Sequence, residues 1–386
     1  ETWNLVSPKT QEIIKTVKAR DIWIRILTAR IETGEPYLLF SDRVKEQQPA
    51  HHKKLGLKVK TSNLCSEITL PTGLDHQNQE RTAICCLSSL NLEKWFEWHK
   101  EPKFIEDVMR FLDNILSDFI KRAPEEMYRA VYSAIQERSV GLGVMGFHSF
   151  LQSNNLPFES AIAKSWNKRM FKHIREKADE ASKILAIERG ECPDSAQAGG
   201  FGERFSHKLA VAPTASISVI AGNSSPGIEP YAANVFLQKT LSGSFTVKNK
   251  HLKKMLDEKG HDNAETWSKI TANKGSVQKL KFLTKEEKEV FKTAFEIDQR
   301  WIIEHAADRT EYICQSQSVN LFLAGDVHKR DLHQVHLLAW KKGLKSLYYC
   351  RSLAVSRTAN VNESIELKSI LNKSTQVDYA ECLSCQ

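Results

Sequence analysis

Asn63, Cys65 and Glu67 stand at alternate positions in SNLCSEITLPT, residues 62–72. In an extended segment the side-chain period is two, so these three would share one side and Leu64, Ser66 and Ile68 the other. A thiol flanked by an amide and a carboxylate is of little use to packing, because each polar group needs a partner once buried. A half-exposed strand with a polar face is the plainer alternative. A second pair of thiols stands in ECLSC, residues 381–385, followed only by Gln386. Zinc would need two more ligands, and none is close in sequence. Near a chain end, a C-x-x-C suits a dithiol that travels and exchanges disulfides.

Other runs carry weaker signals. In APTASISVIAGNSSPGIEP, residues 212–230, Pro213 precedes the small hydroxyl residues Thr214, Ser216 and Ser218. Small residues let backbone N–H groups approach an anion, so phosphate binding competes here with an ordinary helix cap. GLGVMG, residues 141–146, matches G-x-G-x-x-G but follows a helical pattern, which favours a close packing point over a dinucleotide site. His51 and His52 lie in a polar stretch and read as solvated residues, not metal ligands. Tyr348 and Tyr349 are neighbours in LYYC; paired tyrosines can carry a one-electron oxidation, but a core-plus-surface pair is the simpler reading.

The elements that position these groups alternate in type. Residues 8–32 read as a helix ending at Gly34, and PYLLF as a buried strand. Residues 43–60 read as a loop, NLCSEITL and AICCLSSLNL as strand-like pieces. Amphipathic patterns predict helices over 103–122, 124–137, 159–189 and 284–308. In the first of these, Phe104, Ile105, Val108, Phe111, Leu112, Ile115, Leu116 and Phe119 form the apolar side. SQSVNLFL and GLKSLYYC read as short strands, and 359–386 as a mobile tail. Strands alternating with long helices indicate α/β. The chain has 386 residues, 41% apolar content and a net charge of +8. No apolar run approaches a membrane span, and no basic stripe with interleaved aromatics suggests nucleic acid. The eight Cys, without a visible signal peptide, fit a cytosolic protein with a few working thiols better than a disulfide framework. The first residue is Glu1, not Met, which is expected of a fragment or a processed product.

Taken together, these pieces resemble the large, catalytic subunit of class I ribonucleotide reductases. The matching runs are SNLCSEI, CCLSSLNL, PTASIS, GNSSPGIEP, SQSVNLFL, LKSLYYCRS and ECLSCQ, in the family's order from residue 19 onward. The resemblance implies a ten-stranded α/β barrel built of two five-stranded halves, with a finger loop inside it. Residues 1–355 would be the C-terminal half of that barrel and 356–386 a flexible redox tail. Cys65 looks like the thiyl radical site at the tip of that loop, which takes the ribose 3′ hydrogen, so the resemblance would put the row on a loop tip and not in a sheet. Glu67 would act as general base on the 3′ hydroxyl and Asn63 would hold that hydroxyl. Cys85 looks like one of the two reducing thiols, with Cys86 a packing neighbour. Tyr348 and Tyr349 resemble the tyrosines that pass the oxidising equivalent from the small subunit. Pro213, Thr214, Ala215 and Ser216 would lie against the substrate phosphates. Cys382 and Cys385 would re-reduce the active-site disulfide, and thioredoxin or glutaredoxin would reset them.

The implied partners are a ribonucleoside diphosphate and a metal-containing small subunit that supplies the radical. The chain itself would bind no metal or cofactor, no membrane and no nucleic acid. The family's large subunit is longer, and its N-terminal part, with the second reducing cysteine, has no counterpart here. No cysteine precedes Cys65. A complementary N-terminal half is therefore expected, and a homodimer of the complete subunit; half a barrel also leaves strand edges to cover. Two rivals stand beside this reading. A cobalamin-dependent reductase would share N-x-C-x-E and the cysteine tail, although Tyr348 and Tyr349 argue for class I. A non-catalytic redox or interaction module would tolerate replacement of Asn63, Cys65 and Glu67.

Overall fold

The computed structural model describes residues 1–240 and 243–353. Cys382, Cys385 and the expected boundary at 355 lie outside the described residues. Among those described, no helix is long and apolar enough to cross a membrane.

Helices form where a 3.6-residue pattern has something to cover. Phe104–Arg122 buries Ile105, Met109, Leu112 and Leu116, which recur on one face. That face is narrower than the sequence suggests, because Phe111 and Ile115 are exposed. The long helix Ala161–Arg189 packs against it. Its first turn is capped by the Ser160 hydroxyl, which accepts from the Ala163 N–H at 3.1 Å, and Gly190 ends it at φ 88°. Buried Asp113 joins the pair by accepting hydrogen bonds from Arg138, Arg189 and Arg204.

Strands from before, between and after these helices form a parallel row. Cys86–Asn91 pairs with Val140–Met145. The Val140 and Leu142 N–H groups donate to His207 and Lys208 carbonyls at 3.0 and 2.8 Å. From there Val211 N–H reaches Ser316 O at 3.1 Å, and Tyr348 N–H reaches Val319 O at 2.9 Å. Leu321–Ala324 pairs in parallel with Cys350–Leu353. Val140–Met145 is buried at every position, as a parallel strand covered on both faces must be.

The GLGVMG run is this strand, with Gly141 and Gly143 inside it and not in a turn that could cradle phosphate. A Cβ on Gly143 would come within 2.4 Å of the Ala210 carbonyl oxygen. The obstacle is backbone, so Gly143→Ala must push the next segment of the row aside. We expect a loss of about 1–3 kcal/mol, read as a lower urea midpoint; an unchanged midpoint would show that the row can open there freely.

Several local expectations need correction. Residues 8–32 are not one helix: Ile13–Lys18 is a strand antiparallel to Thr2–Val6, and the helix is Ala19–Thr33. Ile13, Ile14 and Val17 are β-branched, and that preference overrides the helical spacing. The 284–308 helix is split into Lys285–Val290, opened by a Thr284–Glu287 capping box, and Gln299–Thr310, capped by Asp298. Residues 43–60 hold two short helices, Ser41–Glu46 and Ala50–Lys54. On the second, His51 and His52 are not solvated but buried, 4% and 0% exposed. His52 faces a carboxylate from far along the chain, Asp194, which its local sequence does not reveal.

Candidate active site

The stretch around Cys65 is a turn, not a strand. Ser66 N–H donates to the Asn63 carbonyl at 3.2 Å, and Ser66 takes φ 66°. The Asn63 side-chain oxygen closes the loop by accepting from Ile68 N–H at 3.1 Å. Cys65 and Glu67 are thereby both turned inward, while Leu64 is left exposed.

Polar groups of the wall hold this loop. The Ser318 hydroxyl donates to Cys65 O at 2.5 Å and lies 3.3 Å from Glu67 Oε2. Ser316 N–H donates to Glu67 O at 2.8 Å, and the Ser346 hydroxyl to Ser66 O at 2.8 Å. Glu67 Oε1 has no hydrogen-bond partner. Burial raises the Glu67 pKa above the ordinary carboxylate range, and the Asn63 and Ser318 side chains oppose that shift without cancelling it.

Tyr348 points its hydroxyl at Cys65, with O–H to Sγ at 3.4 Å. Burial, then the Cys65 contact, holds that phenol well above the usual tyrosine range. The Tyr348 and Tyr349 rings lie 4.3 Å apart between centroids, inclined at 49°. They do not face opposite ways as strand neighbours would, because 348–349 separates Ser346–Leu347 from Cys350–Leu353. Tyr37 completes the cluster, 4.6 Å from Tyr348 and 5.0 Å from Tyr349. Behind it, the buried Arg30 donates to Tyr348 O at 3.0 Å and to His336 Nε2 at 2.8 Å.

Cys85 is half-buried just before the strand Cys86–Asn91. Gln315 links it to the loop. Its Nε2 donates to Cys85 Sγ at 3.4 Å and to Val140 O at 3.1 Å, while its Oε1 accepts from Thr69 N–H at 3.3 Å. Gln315→Leu keeps the volume but leaves Thr69 N–H and Val140 O buried without this partner. The expected loss is about 1–3 kcal/mol of unfolding free energy; a neutral effect in chemical denaturation would mean that water replaces the amide.

Pro213, Thr214, Ala215 and Ser216 lead into the short helix Ile217–Ile220. Thr214 is buried at φ 56°, and its hydroxyl accepts from Gly227 N–H at 2.7 Å. Ala215 is exposed and Ser216 half-buried. Thr214 is thus a loop fastener, and only its neighbours face outward. Cys86 is half-buried on its strand, opposite Val140.

The sequence reading missed Tyr37, Gln315 and Ser318. A signal existed for two of them. Gln315, Ser316, Gln317, Ser318 and Asn320 are all 5% exposed or less, a polar run buried on both faces of the row. Such a run needs partners on either side, and the Cys65 loop is one of them.

Comparison with known proteins decides the family. The model of the ribonucleotide reductase barrel domain matches residues 4–199 and 195–350. The chain belongs to this family. Its α/β row is therefore part of a reductase barrel. The ribonucleoside-diphosphate reductase large subunit of Invertebrate iridescent virus 3 is 45% identical over 365 residues, which cover 94% of this chain and 57% of that protein. The large subunit of Caenorhabditis elegans is 33% identical over 411 residues, covering 96% of this chain and 51% of the relative. The chain thus spans about half the length of these curated relatives. Among solved structures, the class Id ribonucleotide reductase alpha subunit of Actinobacillus ureae superposes with a TM-score of 0.80 at 40% identity, over 87% of this chain and 61% of that one.

Proposed function

We propose that this chain is the C-terminal, catalytic portion of a class I ribonucleoside-diphosphate reductase large subunit. The observation that carries the reading is the Tyr348 hydroxyl at the Cys65 sulfur, with the inclined Tyr349 ring packed against Tyr348. An oxidising equivalent arriving at Tyr349 can pass to Tyr348 and then remove the hydrogen atom from Cys65. The Cys65 thiyl radical takes the ribose 3′ hydrogen. Glu67 accepts the 3′ hydroxyl proton, Asn63 holds that hydroxyl, and water leaves from C2′. Two thiols then supply two electrons and end as a disulfide, and Cys65 returns the 3′ hydrogen. Cys85 is one of these thiols. The other belongs to the part of the large subunit that this chain, at about half the length of its relatives, does not span. Ala215 and Ser216 bind the substrate diphosphate, beside Pro213 and Thr214, which shape the turn. Cys382 and Cys385 reduce the disulfide by exchange and are reset by thioredoxin or glutaredoxin. The radical originates in a metal-containing small subunit, and the chain's part is to position redox groups and keep them dry.

Cytidine diphosphate reduction tests this reading, with the chain mixed with an N-terminal portion and a radical-bearing small subunit. Product that requires every component supports class I. Product obtained with adenosylcobalamin and no small subunit would transfer the chain to the cobalamin-dependent class, and no product from a folded assembly would remove both readings.

Glu67 adds a pH signature. Its pKa is raised by burial, so the basic form fills only above the ordinary glutamate range. Turnover should therefore rise with pH through that raised pKa, and its acid limb should disappear in Glu67→Gln. A positioned base is worth about 10²–10⁴ in rate, which sets the expected fall in kcat. A Glu67→Gln enzyme that keeps both rate and acid limb would take the base role from Glu67.

A further inference from the structure

Away from the tyrosines, three side chains from distant parts of the chain converge in the interior. His52 comes from Ala50–Lys54, Glu137 ends Tyr128–Glu137, and His207 lies on the segment that pairs with Val140–Met145. They are 0%, 1% and 1% exposed. One ligand-type atom from each lies within 4.8 Å of the other two. Neither ring nitrogen of His52 nor Glu137 Oε1 has a hydrogen-bond partner, a costly state for buried polar atoms.

Polar groups stand beside the cluster. His52 Nε2 lies 3.3 Å from Asp194 Oδ2, a charge contact without hydrogen-bond geometry. The Ser139 hydroxyl donates to Glu137 Oε2 at 2.8 Å and lies 3.2 Å from His207 Nδ1. Metal-binding histidines commonly have one ring nitrogen beside a carboxylate or hydroxyl, and His52 and His207 each have such a neighbour. Arg81 is occupied by two other carboxylates, bonding Asp75 at 2.9 Å and Asp194 at 2.6 and 2.8 Å. Nearby Lys208 is engaged by Asp179 and Glu203, and Lys345 by the carbonyls of Ile313, Cys314 and Gln315.

We infer that His52, Glu137 and His207 form a binding site for a divalent transition metal of the zinc type, which staples a helix, a helix end and a barrel segment together. Two imidazoles and a carboxylate are a zinc-type donor set, with water in a fourth position. The staple would sit close behind Cys85, because a Cβ on Gly141, in the strand that pairs with the His207 segment, would meet Cys85 Sγ at 3.0 Å. The inference does not depend on the reductase chemistry.

The test uses the full chain carrying Cys382→Ser and Cys385→Ser, so that the tail dithiol cannot bind the probe. After chelator treatment, Co²⁺ is titrated in and then displaced by Zn²⁺. The expected result is one Co²⁺ per chain, visible ligand-field bands without thiolate charge transfer, and a thermal midpoint raised by Zn²⁺. Glu137→Gln and His207→Gln abolish the bands, and Ser139→Ala, which touches the metal only through its ligands, weakens Zn²⁺ binding about 10–100-fold. If the ligand variants fail to fold, X-ray absorption of the Zn²⁺-loaded chain still decides, by showing two imidazoles at about 2.0–2.1 Å or not. No saturable binding, bands that survive both ligand variants, or a zinc shell without two imidazoles would overturn the site. A protonated Glu137 bonded to an imidazole would then explain the cluster.

Discussion

Cys65→Ser, assembled with its N-terminal complement and a radical-bearing small subunit, should give no deoxyribonucleotide above the assay background. Its urea midpoint should stay near that of the parent. Serine differs by one smaller atom, and its oxygen can still accept from the Tyr348 hydroxyl now 3.4 Å from the sulfur. At 2% exposure, the small void and the altered contact cost about 1 kcal/mol. The chemistry is another matter. An alcohol O–H bond is much stronger than a thiol S–H bond, so a tyrosyl radical cannot take its hydrogen. Stability and turnover are expected to part completely, and genuine turnover by this variant would end the assignment of Cys65 as the radical site.

Tyr348→Phe should be as severe for turnover. Phenylalanine keeps the ring contacts, 4.3 Å to Tyr349 and 4.6 Å to Tyr37, and removes only the hydroxyl that touches Cys65. The lost hydrogen bond is worth about 0.5–1.5 kcal/mol of stability. Substrate affinity should be unchanged, since the phenol faces the thiol. Product should fall to background while the radical persists on the small subunit, which electron paramagnetic resonance can follow. Normal turnover would mean that the oxidising equivalent reaches Cys65 by another route, and the cobalamin reading would regain its standing.

The two long helices were legible because their apolar periodicity runs for many turns and their ends carry ordinary signals, such as Ser160 and Gly190. The first helix was misplaced where β-branched residues satisfied two periods at once. Alternation around Cys65 was misleading in form: the residues that converge do so through a turn with Ser66 at positive φ, not through a strand. That Cys65, Glu67 and the tyrosines belong together came from the resemblance, since no local pattern links positions so far apart. What neither route revealed were the groups that acquire meaning only from distant partners. Gln315 reads as an ordinary polar residue until Thr69 and Cys85 flank it. His52 reads as solvated until Asp194 and His207 close over it.

The proposed relay has two links of different mechanical kind. Tyr348 and Tyr349 are consecutive residues, so a covalent leash limits how far their rings can separate. Tyr348 and Cys65 stand 283 positions apart and meet only through packing and the hydrogen bonds that fasten the loop to the wall. Thermal breathing of the barrel leaves the first link nearly intact and lengthens the second. On warming, activity should therefore fade before the helices melt, and the weak joint will be the one between the wall and the loop.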